Sequence, residues 1–173
     1  MKIVITGTNH SLGKNISEYL SDYKLMCLDR PENYIENIEN IINDCDVFIN
    51  CGYKNKTQTI LFEKVYNKWK YEKKTIINIL TSALVFGGPN KKYIEDKQDL
   101  EFKTFELRSD DKEVRIINVY PNTLENSQNV NNQKLKFSDI SKIIKWLIEL
   151  PQDVEIFEIG ISKTKLKIEN TLI

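Results

Sequence analysis

Residues 6–13 read Thr6-Gly7-Thr8-Asn9-His10-Ser11-Leu12-Gly13, between the apolar run Ile3-Val4-Ile5 and a stretch of helical period that begins at residue 11. Gly7 permits a sharp turn off the first strand, and Gly13 lets the following helix pack close to the sheet or to a ligand. Ser11 is placed to cap that helix, whose N-terminus favours an anion such as a pyrophosphate. Two glycines six residues apart carry little information alone. Their position after the first strand and before the first helix is what points to a dinucleotide-binding fold.

Outward from this stretch, short apolar runs alternate with helical periods almost to the end of the chain. Strands are expected near 2–6, 24–28, 46–50, 75–80, 113–119 and 154–159, with helices near 11–22, 33–43, 57–73, 92–109 and 137–149. The strand runs are continuously apolar, as strands covered on both faces are. Strict alternation of strand and helix predicts an α/β fold, a Rossmann-like doubly wound parallel sheet of about six strands with helices on both faces. A single domain over 1–173 follows from the length and from the lack of a linker or repeat. The polar, asparagine-rich segment 121–136 reads either as a substrate loop or as a solvated connection.

Composition excludes several classes. The 25 Lys and Arg balance 25 Asp and Glu, which leaves no electrostatic case for nucleic acid or an anionic membrane as partner. No apolar run approaches the ~18 to 20 residues of a membrane span. The basic and aromatic stretch at 64–74, KVYNKWKYEKK, reads as one helix with Val65 and Trp69 inward and lysines in solvent. Three cysteines without CxxC spacing and one histidine, His10, predict neither a disulfide framework nor a zinc site. The N-terminus lacks a signal-peptide pattern, and a cytoplasmic location is expected.

Several stretches together resemble the short-chain dehydrogenase/reductase family. Thr6, Gly7, Leu12 and Gly13 match its TGxxxGxG, with Ser11 at the middle glycine, where a side chain narrows the backbone's approach to the pyrophosphate. Asn50-Cys51-Gly52 resembles the NAG motif, which sits near the adenosine and helps hold the central strands. Residues 76–82, IINILTS, end where the family places its catalytic serine, and 81–87, TSALVFG, resemble the SSxxVYG of its extended branch. Both put Thr81 in the catalytic place. Tyr93 and Lys97 follow at YxxxK spacing, and 114–122, VRIINVYPN, resembles VNxVxPG with Asn122 for glycine. A second YxxxK at Tyr66 and Lys70 lies within the preceding helix and reads as a packing or solvated face.

The resemblance implies an NAD(P)-dependent oxidoreductase acting on a small-molecule carbonyl or alcohol. Catalytic roles fall to Tyr93, Lys97 and Thr81, with Asn55 as a further candidate at the start of the preceding helix. Cofactor contacts are implied for Gly7, Asn9, His10, Ser11, Leu12, Gly13, Asp29, Arg30, Asn50, Cys51, Gly52, Tyr93, Lys97, Pro121 and Asn122. Asp29 stands where an acidic residue binds the ribose diol of NAD, whereas Arg30 and His10 occupy basic places of NADP-dependent relatives; NAD is favoured. Residues four apart share a helix face, so the Lys97 ammonium is expected beneath the Tyr93 phenol, favouring the phenolate together with the nicotinamide. Ser82 is expected to point to the opposite face from Thr81. The connection from Asp29 to Asp46 holds only one helix length, which predicts loss of one strand–helix unit at the sheet edge. A homodimer is common among relatives. The rival reading is a dinucleotide-binding sensor or assembly module without turnover.

Overall fold

The computed structural model describes residues 1–127 and 134–163; the middle of the asparagine-rich segment and the last ten residues lie outside them. β1 (Lys2–Thr6), β2 (Lys24–Leu28), β3 (Val47–Asn50), β4 (Thr75–Ile79), β5 (Arg115–Pro121) and β6 (Glu158–Ile161) form one sheet in the order β2-β1-β3-β4-β5-β6. Every neighbouring pair is parallel. Strand alternation divides the core. Ile3, Ile5, Ile49, Ile77 and Ile117 face α1 (Ser11–Tyr19) and α6 (Phe137–Glu149). Val4, Phe48, Ile76 and Ile116 face α2 (Ile38–Ile41), α3 (Thr57–Trp69) and α5 (Lys91–Arg108). Helices therefore cover both faces, as a doubly wound sheet requires.

The chain leaves β1 for β2 on one side and then returns across β1 to β3 on the other. That reversal opens a crevice at the carboxyl ends of β1 and β3, the place where open α/β sheets hold ligands. Between β2 and β3 there is no further strand, so the predicted loss of one edge unit is what the sheet has.

Several boundaries differ from expectation; α1 and α3 end early, at Tyr19 and Trp69. The single helix expected over 33–43 is a 3-10 turn, Pro31–Tyr34, followed by the four-residue α2. Pro31 fixes the start of the turn, and the asparagines at 33, 37, 40 and 43 are poor helix formers. β5 begins and ends two residues later than expected. β6 shifts with it, since Asn118 pairs Glu158 and Pro121 pairs Ile161. Finally, α4 (Ala83–Phe86) is a short helix in a stretch read as loop, ended by Gly87 at φ 76°.

One polar row crosses this apolar sheet. Asn50, Asn78 and Asn118 stand directly opposite one another on β3, β4 and β5. Asn50 Nδ2 donates to Asn78 Oδ1 at 3.0 Å, and Asn78 Nδ2 donates to Asn118 Oδ1 at 3.3 Å. Asn118 Nδ2 donates onward to Thr104 Oγ1 of α5 at 2.8 Å. All three are fully buried, and these bonds replace much of the water lost on folding, although Asn50 Oδ1 is left without a partner. The second YxxxK pair is structural. Tyr66 is buried with its hydroxyl on Asp110, and Lys70 pairs the same carboxylate.

Candidate active site

The turn off β1 is built from three glycines that leave no room for side chains. Gly7 has φ 74°, and a Cβ there would stand 2.5 Å from the Gly52 Cα. A Cβ on Gly13 would overlap the Gly7 carbonyl oxygen, and one on Gly52 would lie 2.8 Å from the Gly7 nitrogen. The Thr6 hydroxyl locks the two strand ends together, accepting from Cys51 N at 3.0 Å and Gly52 N at 2.9 Å. Bare backbone thus faces the crevice at the N-terminus of the nine-residue α1.

Ser11 does not cap that helix, contrary to the reading of the sequence. His10 is the N-cap residue and makes no side-chain cap bond, while Ser11 is the first helical residue, at φ 48°. The left-handed backbone explains why glycine is usual at this place. The Ser11 hydroxyl instead accepts from Asn126 Nδ2 at 3.2 Å, joining the glycine turn to the segment after β5.

At the other end of the crevice stands the hydroxyl and ammonium cluster. Gly87-Gly88-Pro89 leads to Asn90, whose side chain caps α5 by accepting from Tyr93 N at 3.0 Å. This sets Tyr93 in the first turn, with the Lys97 Nζ 5.5 Å from its ring centroid. Thr81, just past β4, lies near enough to the Tyr93 phenol to favour its ionised form. Ser82 lines the same cleft and donates to Asn122 Oδ1 at 3.1 Å. Strand alternation does not separate it from Thr81, because β4 has already ended at Ile79 and Ser82 has helical backbone. Tyr53 meets Tyr93 edge to face at 4.8 Å and donates its hydroxyl to the buried Asp96, which also pairs Lys92 at 2.7 Å.

Charge in this cluster runs opposite to expectation in the chain itself. Burial raises the Tyr93 phenol above its ordinary value and outweighs the lowering by Thr81. Burial also pushes Lys97 down to about 8. The ammonium does sit beneath the ring, but it donates to Gln58 Oε1 at 2.6 Å and the Ile79 carbonyl at 2.5 Å rather than to the phenol oxygen. Since the unfolded chain holds the Lys97 proton to higher pH, this group destabilises the fold below about pH 8 and relieves that cost as pH rises toward the ordinary lysine value.

A cleft of about 900 Å³ connects the glycine turn to this cluster. Its wall includes Gly7, His10, Ser11, Leu12, Gly13, Asp29, Arg30, Cys51, Gly52, Thr81, Tyr93, Lys97, Pro121 and Asn122 among the residues singled out in the sequence. Asn9, Asn50 and Asn55 are not part of that wall. Asn9 lies behind Asp29, donating from Nδ2 to its Oδ2 at 2.7 Å. Asn50 belongs to the buried polar row. Asn55 is an exposed loop residue at φ 49° before α3. Arg30 donates its backbone N–H to Asp29 Oδ1 at 2.9 Å, and among the described residues no side-chain cation pairs that carboxylate. Burial pushes the Cys51 thiol up to about 11, making it a neutral part of the wall.

Two residues of the cluster escape a reading of the sequence. Gln58 is 2% exposed and meets Lys97 directly. The available signal is a carboxamide on the apolar stripe of α3, at helical spacing from Leu61, Phe62 and Val65. Tyr53 follows Gly52 with no pattern that marks it.

No protein-family model matches the sequence, and no curated protein matches it either. Solved structures do match. Serine dehydrogenase from Escherichia coli superposes with a TM-score of 0.73 over 94% of this chain and 98% of that one, at 17% identity. An alcohol dehydrogenase from the archaeon Thermococcus sibiricus, complexed with 5-hydroxy-NADP, gives 0.73 over 93% and 95% at 16% identity. A short-chain dehydrogenase/reductase from Vibrio parahaemolyticus gives 0.66 over 92% and 98% at 15% identity. The chain has the Rossmann-like fold of the short-chain dehydrogenase/reductases, with six strands in its sheet.

Proposed function

We propose that the chain is an NAD(P)-dependent oxidoreductase of the short-chain dehydrogenase/reductase type, interconverting a carbonyl and an alcohol on a small molecule. The observation that carries this reading is the single cleft that joins a side-chain-free glycine turn to Thr81, Tyr93 and Lys97. A dinucleotide fits the residues present. The interlocked backbones of Gly7, Gly13 and Gly52 make a cradle that any Cβ would fill, at a helix N-terminus suited to a pyrophosphate. Asp29 keeps acceptor capacity for a ribose diol, since each of its oxygens accepts one bond within the protein. The structures superposed above include an enzyme bound to an NADP derivative.

A bound nicotinamide supplies or accepts the hydride. The rest of the chemistry belongs to the chain. The Tyr93 hydroxyl gives a proton to the substrate oxygen in the reductive direction, and its raised pKa keeps it protonated for that step. Thr81, beside the phenol, orients the same oxygen. Lys97 has two N–H groups directed to Gln58 and Ile79, leaving its third donor for the ribose of the cofactor. A cytoplasmic location belongs to this reading and is supported by three free cysteines. So does a homodimer, for which Phe102 and Phe105 give α5 an exposed apolar surface.

NAD is the favoured cofactor because Asp29 would repel a 2′-phosphate. Asp29→Ala is expected to weaken NADH about tenfold, roughly 1.4 kcal/mol, and to strengthen NADPH, with His10 and Arg30 left in the wall. Fluorescence titration with both dinucleotides reads this, and an unchanged NADH affinity assigns the ribose elsewhere. Ser11→Gly relieves a left-handed serine but adds freedom to the unfolded chain, terms of about 1 kcal/mol each that offset. The melting temperature should therefore move little while NADH binds severalfold more tightly. Weaker binding would show that the serine hydroxyl serves the cofactor. Turnover is tested by following loss of reduced nicotinamide with a panel of small aldehydes and ketones; binding without any oxidation across the panel favours the sensor reading.

A further inference from the structure

The Lys97 ammonium is 3% exposed and needs protein acceptors in place of water. β4 offers the Ile79 carbonyl at 2.5 Å, and α3 offers Gln58 Oε1 at 2.6 Å. The Tyr53 and Tyr93 rings lie 5.8 and 5.5 Å from Nζ, and the Cys51 thiol adds a weak electrostatic contact. Asp96, next in the chain, is engaged by Lys92 and Tyr53 instead. No carboxylate is among the hydrogen-bond partners of Lys97.

The orientation of the Gln58 carboxamide is forced. Its Nε2 donates to the Asn50 carbonyl at 2.7 Å and toward the Ile79 carbonyl at 3.5 Å, both of which can only accept. A flipped amide would set oxygen against two carbonyls and nitrogen against an ammonium. Asn50 Nδ2 in turn donates to the Gln58 backbone carbonyl at 2.8 Å, so helix and strand clamp each other.

We propose that Gln58 is a positioning residue of this site, holding the Lys97 ammonium beneath Tyr93 through its carboxamide oxygen. It takes from the first turn of α3 the place that the sequence offers to Asn55, which stays exposed outside the cleft wall. A neutral acceptor here supports the charged lysine without adding a counter-charge, so the ammonium remains easily titrated. The inference rests on the dehydrogenase reading for its consequence, but its geometry does not.

The test is a pH titration of lysine side chains labelled with carbon-13 at Cε, in the wild type, Gln58→Glu and Gln58→Met, with Lys97→Met to assign the signal. The isosteric Gln58→Glu sets a carboxylate against the ammonium and should raise the Lys97 midpoint by about one to three pH units. Gln58→Met removes the acceptor and should lower it by about half a unit or more, and should weaken NADH severalfold by calorimetry. If Gln58→Met fails to fold, Gln58→Glu decides alone. A midpoint that stays within about 0.3 units in Gln58→Glu overturns the inference. A wild type that binds no nicotinamide dinucleotide ends the dehydrogenase reading while shifted midpoints still support the contact. Unmoved midpoints in a chain that does bind NADH end the Gln58 inference alone.

Discussion

If the chain works as proposed, Tyr93→Phe is expected to lower kcat for carbonyl reduction by about 10²- to 10⁴-fold, the range lost when a positioned acid is removed, while NADH affinity changes less than about threefold. The split follows from the geometry. The lost atom is the phenol oxygen, and the ring that covers Lys97 and meets Tyr53 is kept. In the proposed reaction, removing the oxygen removes the proton given to substrate and little else. The check is steady-state kinetics with whichever carbonyl the panel identifies, beside calorimetry of the same variant. A kcat that survives the substitution moves the acid to another group, and Thr81 and Ser82 are the hydroxyls within the same wall.

Gly7→Ala is the second large effect, on stability and on binding together. The backbone there has φ 74°, which costs an alanine about 1 to 2 kcal/mol. Its Cβ would also stand 2.5 Å from the Gly52 Cα, backbone against backbone, adding about 1 to 3 kcal/mol of overpacking. The sum, about 2 to 5 kcal/mol, corresponds to a melting temperature lowered by about 5 to 15 °C in a chain of this size. Relief by moving β1 away from β3 would widen the cradle and abolish dinucleotide binding. Gly160 is the internal control. No atom lies within 4 Å of a Cβ built there and its φ is not left-handed, so Gly160→Ala should change stability by less than about 0.5 kcal/mol. Scanning calorimetry of the two variants separates the close approach from a general cost of replacing glycine.

Most of the frame was legible in the sequence because it rests on local physics. Five of the six strands lie within two residues of their expected bounds, since runs such as Ile76-Ile77-Asn78-Ile79 are buried on both faces and carry no ambiguity of face. The shift of β6 was not legible, because its register is imposed by pairing with β5 rather than by its own residues. Likewise the division of 31–43 into a turn and a short helix depends on asparagines that compete weakly with neighbours. At the site, the ordered motifs located the glycine turn, Thr81, Tyr93 and Lys97 along one cleft. What they could not show was direction of charge. Spacing puts Lys97 under Tyr93, but only burial tells that desolvation outweighs the neighbouring groups and raises the phenol. Gln58 was hidden for a related reason: its partner is 39 residues away and meets it only after α3 and α5 pack on the same face.

The central claim is that the cleft binds a nicotinamide dinucleotide, and titration calorimetry of the wild-type chain with NADH and NADPH tests it most directly. The account predicts one NADH per chain with a dissociation constant in the micromolar range and weaker binding of NADPH. Absence of binding heat for both at millimolar ligand, confirmed by unchanged protein fluorescence, would contradict it.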